Sequence, residues 1–551
     1  TSEEAKFWKF LTRNIYLNTE RIELDKRLLK NYYLGRGYYD IQVLSSSAEI
    51  TNENNIELTF SINAGKRYRF KRFSTDIDPV FEARLFESLK STFKKYAGKH
   101  YSPFTIKKIL ENIDEIVDSN QLQFVQQTVK EFPGEDGIDV QFRIFEGQKI
   151  QIERVNITGN NITNDSVVRS GLLIDEGDPY SKSRMEKSIG NLKAMNIFNK
   201  VNYKVSDGSE PGLKILDISV EEKPTGEISA GAGFGTEGGA FSFAIRENNY
   251  LGKGLRVSAN ADITSQSIRG GLNIVNPNYN YSGNKVFGGF YSKKTDKKSS
   301  GYENTLINFN IGTEFEQYRD IFIAPDLSFT VDDLTVDNTA SDSLKKQAGS
   351  FTDLTFGYVL KSDKRNRRFM PTDGHIISFK QNLPIFADSQ SILNSFRYRT
   401  YHSFSENVVG ALKVYGAAIN ALGDDDVRLS KRITLGRNLL RGFDSGKVGP
   451  KDGDDYVGGN YASALNIEAA LPNLLPEGTE TDISLFMDVA NLWHVDYSSS
   501  VNDSDKIRSS IGIATNMYTP IGPLSFTIAQ NLSKADTDQT QSFNFQIGTS
   551  F

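Results

Sequence analysis

The residue best suited to directed chemistry is Arg441, in the run Leu440-Arg441-Gly442-Phe443. Its guanidinium is always charged and presents a planar fork of donors that matches a carboxylate. Two carboxylates follow on segments of alternating polarity, Glu468 and Asp488. Asp488 shares the polar face of its segment with Phe486, and Glu468 occupies the polar face of its own. A charge-assisted bond from the fork to Asp488 would be strong and directional, and Glu468 could supply a second acceptor. Gly442 lets the backbone pass close to a wall. Phe443 and Phe486 could pack beside the pair and exclude water. On these residues alone, a solvated loop arginine is the simpler reading.

Other constellations carry less. Lys66-Arg67-Tyr68-Arg69-Phe70-Lys71-Arg72-Phe73 interleaves bases with aromatics as a nucleic-acid surface does. It also begins a repeat, where alternating strand residues are expected, and that is the reading adopted. Asp424-Asp425-Asp426 and Asp452-Gly453-Asp454-Asp455 lack the spacing and closing glutamate of a calcium loop. Gly231, Gly233 and Gly235 evoke a dinucleotide loop, but no helical pattern follows and they line one face of a strand. No nucleophile, base and orienting group come together, so no enzyme, metal or cofactor is expected.

What must position Arg441 and its partners is a long series of strands. In 465–471, Leu465, Ile467, Ala469 and Leu471 oppose Asn466, Glu468 and Ala470. In 483–490, Ile483, Leu485, Met487 and Val489 oppose Ser484, Phe486, Asp488 and Ala490. The end of the chain alternates too: Phe543, Phe545, Ile547 and Phe551 share one face, with Ser542, Asn544, Gln546 and Gly548 on the other. After Glu221-Glu222-Lys223-Pro224 such segments follow one another to the end, and segmentation gives sixteen strands from near Ile228 to Phe551. An even count of strands, each apolar on one face and hydrophilic on the other, predicts a transmembrane barrel with a watery lumen. Mean hydropathy is -0.42 and no apolar run of about 18 residues occurs, so no helix spans a bilayer. A barrel passes that test unseen, because only every second residue meets lipid. The 36 Phe, 24 Tyr and 45 Gly suit a barrel, the absence of cysteine excludes disulfides and thiol chemistry, and a net charge of -5 gives no bulk pull toward nucleic acid.

The part before the barrel repeats. Asn63-Ala64-Gly65-Lys66-Arg67-Tyr68-Arg69-Phe70 returns as Phe145-Glu146-Gly147-Gln148-Lys149-Ile150-Gln151-Ile152. The clearest unit, 148–224, reads strand (Ile150 to Ile157), helix (Asp165 to Leu172), a helix capped by Ser181, then two strands (Val201 to Val205, Leu213 to Val220). With Val155-x-Ile157-x-Gly159-Asn160 and Asn196-Ile197-Phe198, it resembles a polypeptide-transport-associated (POTRA) domain. Residues 66–147 fit more loosely, having Ser74-Thr75-Asp76 where the Gly-Asn turn is expected. Residues 1–65 resemble the back part of a third unit, so the chain is expected to start inside a domain and the natural protein to extend upstream.

Three barrel stretches resemble the BamA family of outer-membrane insertases. They are Asp363-Lys364-Arg365-Asn366 with Met370-Pro371-Thr372-Asp373-Gly374; Leu440-Arg441-Gly442-Phe443 with Val448-Gly449-Pro450 and Gly458-Gly459-Asn460; and Phe486-Met487-Asp488 with Trp493. Leu440 stands where that family usually has Val. Ile507 to Leu532 is similar to the family's closing strands.

The resemblance implies α+β POTRA repeats (1–65, 66–147, 148–224) followed by an all-β, sixteen-stranded antiparallel barrel (225–551). It turns Arg441 into a pin holding the family's long sixth extracellular loop to Phe486, Asp488 and Glu468. It implies a Gram-negative outer-membrane insertase with N-terminal domains in the periplasm. Its lateral seam would lie between the first and last strands, at Gly231, Gly233, Gly235 and Gly548, and Phe543, Phe545, Ile547 and Phe551 would be its C-terminal strand signal. Implied partners are unfolded outer-membrane barrels, periplasmic chaperones, accessory lipoproteins and outer-membrane lipid, with no nucleic acid. The alternatives are a TamA-like translocation factor, a two-partner secretion transporter or, outside the family, a passive porin.

Overall fold

The computed structural model describes residues 19–548 except 51–55, 121, 123, 148, 237, 281, 369, 406, 424, 425, 472–480, 498–500, 504, 520 and 521. Phe551, Asp424, Asp425 and the first part of the 1–65 segment thus lie outside the described residues. The chain forms two compact units, 1–160 with 171–222, and 161–170 with 223–551.

In the first unit, a helix (Thr19–Gly35) precedes an antiparallel pair of strands, Gln42–Ile50 and Ile56–Asn63. Two three-stranded sheets follow, and both place the first strand parallel to the third. In one, Phe70–Ile77 lies beside Gly137–Glu146, which pairs with Val125–Gly134. In the other, Gln151–Thr158 lies beside Leu213–Glu222, which pairs with Phe198–Asp207. The helix Lys182–Ala194 is capped by the Ser181 hydroxyl, which accepts from the Arg184 amide at 3.3 Å. It buries Met185, Ile189 and Leu192, spaced to share one helical face. The helix expected over Asp165 to Leu172 belongs to the second unit as far as Ser170 and stops at Arg169.

The second unit is a closed antiparallel barrel of sixteen strands. They are β1 (Gly226–Gly235), β2 (Gly238–Tyr250), β3 (Leu255–Thr264), β4 (Ser267–Tyr279), β5 (Asn284–Lys297) and β6 (Tyr302–Tyr318). Then come β7 (Ile321–Val336), β8 (Gly349–Asp363), β9 (Gly374–Ala387), β10 (Ser391–Ser405) and β11 (Val408–Ala421). The last are β12 (Tyr461–Ala470), β13 (Thr481–Trp493), β14 (Arg508–Thr519), β15 (Gly522–Ser533) and β16 (Phe543–Gly548).

Burial in this wall is the reverse of that in a water-soluble protein. Ile467, Leu485, Met487, Ile511 and Ile513 face outward and are exposed, while Asn466, Asp488 and Ser510 on the opposite faces are buried. The outward face is the one a hydrocarbon solvent would cover. The watery lumen expected from the strand pattern gives way, along β11–β13, to a cluster of buried apolar side chains. Small wall residues Ala417, Ala462, Ala464 and Ala490 leave room there. The connection between β11 and β12 fills it with Val427, Ile433, Leu435, Leu440, Phe443 and Val448.

Candidate functional site

The β11–β12 connection is held by one buried carboxylate. Asp488, fully buried on β13, accepts from the Arg441 backbone amide at 2.9 Å, from Nε at 2.7 Å and from Nη2 at 2.6 Å. Asn466 adds a fourth bond to the same carboxylate at 2.8 Å, and the same Nδ2 also donates to the Leu439 carbonyl at 2.9 Å. The register that makes this possible sets Asn466 directly opposite Asp488, and Asp488 opposite Ser510 on β14. Ser510 Oγ donates to the Arg441 carbonyl at 2.6 Å.

Glu468 lies 2.8 Å from Arg441 Nη2 and 2.6 Å from Lys413 on β11, so its charge is shared between two cations. Burial alone would lower the Arg441 pKa. The hydrogen bond and charge of Asp488, with the charge of Glu468, outweigh it, and the pKa rises above the ordinary arginine value. The Phe486 ring lies 3.7 Å from the guanidinium carbon, covering the cation's flat face. A desolvated, fully partnered charge pair of this kind orders what it joins.

Gly442 has φ of 84°, and a Cβ there would come within 2.9 Å of the Ala529 Cβ. Its carbonyl accepts from Asn531 Nδ2 at 2.9 Å and from the Gln541 amide at 3.0 Å. The two aromatics do not flank the pair together. Phe486 packs with Ala514 and Ala529, whereas Phe443 is buried with Leu440 in the loop core. The chain turns at Gly442, and this sends the residues on either side to different pockets.

At the seam, β16 and β1 pair through Gln546 with Gly235, Ile547 with Phe234, and Gly548 with Gly233. That is three residue pairs among the described residues, against ten between β1 and β2. The Thr236 amide also donates to the Phe545 carbonyl at 3.1 Å. Gly233, Gly235 and Gly548 therefore meet, while Gly231 pairs with Ser242 on the β2 side and lies beyond the described β16 ladder. Gly548 has φ of 113°, a conformation that favours glycine, and a Cβ there would stand 2.3 Å from the Ala232 carbonyl. Phe543, Phe545 and Ile547 pair with Ile528, Phe526 and Leu524 of β15.

The discounted stretches have ordinary surroundings. Phe70 is buried, Phe73 stacks on Phe93, and Arg67 and Arg69 donate to the carbonyls of Arg36 and Gly98 at 2.7 and 2.8 Å. Asp452 accepts from Ser341 Oγ at 2.6 Å and from the Tyr497 hydroxyl at 2.8 Å. No cluster of His, Cys, Asp or Glu able to hold a metal ion occurs among the described residues.

Asn466, Ser510, Asn531 and Lys413 were missed in the sequence. Asn466 stood on a recognised polar face, but its role depends on the cross-strand register. The buried pair Arg508–Asp538, with Nε 2.9 Å from the carboxylate, gave no signal at all.

Comparison with known proteins places these features in company. A family model described as the Omp85 superfamily domain matches 249–551, and a POTRA model described as surface antigen variable number repeat matches 8–65 and 150–223. An outer membrane protein assembly factor BamA from Neorickettsia risticii is 26% identical over 100% of this chain and 75% of its own length. The crystal structure of BamA from Haemophilus ducreyi lacking POTRA domains 1–3 has a TM-score of 0.65 at 21% identity, covering 88% of this chain and 100% of that one. CdiB from Escherichia coli has a TM-score of 0.52 at 12% identity, covering 96% and 98%.

Proposed function

The chain belongs to the Omp85 superfamily, and from that premise we propose that it is an outer-membrane protein assembly factor of the BamA kind, an insertase for β-barrel proteins. The barrel, 225–551, sits in the bacterial outer membrane, with the POTRA segments 1–65, 66–147 and 148–224 in the periplasm. Its clients are unfolded outer-membrane proteins, delivered by periplasmic chaperones, and accessory lipoproteins complete the assembly complex.

The observation that carries the mechanism is the short ladder between β1 and β16. The three residue pairs described there cost less to part than the ten between β1 and β2. Parting them exposes two strand edges beside lipid. In hydrocarbon, an unpaired edge must find a partner, and a client strand supplies one without any sequence demand. The client's own pairing and burial then drive insertion. In the periplasmic sheets, Val125–Gly134 and Phe198–Asp207 are edge strands that can hold an extended client by the same backbone bonds. The Arg441 pin fixes the loop against β12–β14, so that movement is confined to the seam.

The likeness to CdiB keeps one second reading, a transporter for a single secreted partner. Both readings are tested with purified protein in liposomes, following several unrelated urea-unfolded barrels as they fold. An insertase accelerates all of them; a dedicated transporter accelerates none. The seam is tested by Gly235→Cys with Gln546→Cys. A Cβ on Gly235 lies 3.5 Å from that of Gln546, within disulfide range, although the Phe545 carbonyl must shift to admit it. Oxidation should abolish acceleration and reduction restore it. Full activity in the oxidised protein refutes the gate.

A further inference from the structure

Loop and last strand are joined a second time, away from Arg441. Arg508 opens β14 and is fully buried. Its Nε donates to Asp538 Oδ2 at 2.9 Å and its Nη2 to Oδ1 at 3.2 Å, a two-pronged pair with both side chains shut off from solvent. Nη1 reaches the Asn491 amide oxygen and, at 3.5 Å, the Leu492 carbonyl, both on β13. Asp538 also accepts from the Ala535 amide at 2.7 Å and from the Gly449 amide, in the β11–β12 loop, at 3.3 Å. Its carboxylate therefore joins three segments: the wall, the loop and the approach to β16.

The neighbours of Asp538 continue the contact. The Tyr456 hydroxyl donates to the Thr537 carbonyl. The Asp444 amide donates to the Gln539 carbonyl at 3.0 Å, and the Gln539 amide to the Lys447 carbonyl at 3.1 Å. Thr540 bridges Phe443, and the Gln541 amide reaches Gly442. Arg437 Nη2 donates to the Gln541 side chain at 3.0 Å. From Thr537 to Gln541 every residue is tied to the loop or, at Asp538, to loop and wall together. Immediately after, β16 pairs with β15 through Phe543 to Ile547 on one side, and on the other, among the described residues, has only three residue pairs to β1.

We propose that Arg508 and Asp538 are positioning residues, a second latch that fixes the start of β16, so that the seam separates from the Gly548 end and pivots near Gln541. Arg508 acts through Asp538, and Asp538 through the backbone it orders. The inference rests on the seam reading above. Its test nevertheless reads the position of β16 directly and needs no client.

The test introduces the Gly235→Cys and Gln546→Cys pair into the full chain and measures disulfide yield after brief oxidation. Backgrounds are the unaltered latch, Asp538→Asn and Arg508→Lys. A control pair, Phe290→Cys with Phe309→Cys, bridges β5 and β6, away from the seam. Removing one partner of a buried pair is strongly destabilising, so Asp538→Asn should cut the seam yield by about tenfold or more. Arg508→Lys keeps the charge, loses the fork and should cut it by roughly threefold. The control yield should hold in both, which separates a released strand from an unfolded barrel. Unchanged seam yield in both variants, with the control intact, overturns the latch. If Asp538→Asn also lowers the control yield, Arg508→Lys decides alone: a selective seam loss supports the latch, and equal yields refute it. A locked seam that stayed fully active would sink the gate yet leave this measurement able to stand or fall by itself.

Discussion

Asp488 on β13 and Gly548 on β16 belong to one closed sheet, three strands apart, and their surroundings are opposite in kind. Around Asp488, four hydrogen bonds converge on a fully buried carboxylate, and loop and wall share a cluster of buried apolar side chains. Around Gly548, three residue pairs among the described residues and a set of glycines hold two strands side by side. One arc is held by a buried charge pair, either partner of which would be costly to leave buried alone. The other relies on backbone bonds that each contribute about 1 kcal/mol net. The proposed gate, open at one place and shut elsewhere, rests on this inequality, and both sides of it can be altered by single residues.

The largest effect should come from the pin. Asp488→Asn leaves the Arg441 guanidinium buried without its full countercharge, at a cost of about 3–5 kcal/mol to loop seating. Limited proteolysis between Leu422 and Asn460 should turn from resistant to rapid. Disulfide yield at Gly235→Cys with Gln546→Cys should fall less than loop protection does, because the seam bonds themselves are untouched. Loop protection equal to that of the unaltered chain would remove Asp488 as the source of the rigidity.

A change at the seam ranks second. Gly548→Ala puts a side chain into a backbone conformation of positive φ and against the Ala232 carbonyl. The strain should be about 1–3 kcal/mol, set against a ladder that is itself small. The last strand should shift away from β1, seen as a several-fold loss of seam disulfide, while the loop stays resistant to protease. Loss of loop protection here would mean that the two arcs are mechanically one, and the comparison would fail.

How much of this could be read beforehand depends on range. Alternation gave the strands and their lipid and lumen faces, because a period of two is a local property. It placed Asn466, Glu468, Phe486 and Asp488 on inward faces. It could not say that Asn466 stands opposite Asp488, since register is set between strands. The meeting of Arg441 with Asp488 was legible through the family resemblance; from the residues alone a solvated arginine was the simpler reading. Arg508 and Asp538 were illegible for a plainer reason. Asp538 is one acid among polar loop residues (Asp536-Thr537-Asp538-Gln539), and only the path of the chain beside loop and wall singles it out. The seam glycines were visible as a group, but the register that takes Gly233 and Gly235 and leaves Gly231 outside was not.

The smallest effect sharpens the comparison most. Glu468 also touches Arg441, yet Asp488 already receives both Nε and Nη2 of the fork. Glu468→Gln keeps an acceptor oxygen at hydrogen-bond distance and removes only a charge that Lys413 shares. The cost should be about 1 kcal/mol, and loop protection should change by less than about tenfold. If the inequality between the arcs resides in one carboxylate, the double variant with Asp488→Asn should be no worse than Asp488→Asn alone by more than that amount. If the three charges act as a unit, Glu468→Gln alone should release the loop as fully as Asp488→Asn does. A double-mutant cycle on protease protection separates the two cases, since residues that share a partner depart from additivity by a measurable margin. The first outcome leaves a barrel whose firm side hangs on Asp488. The second spreads that firmness over β11, β12 and β13, and makes the seam, with no buried charge pair among its described residues, the weaker arc by a wider margin.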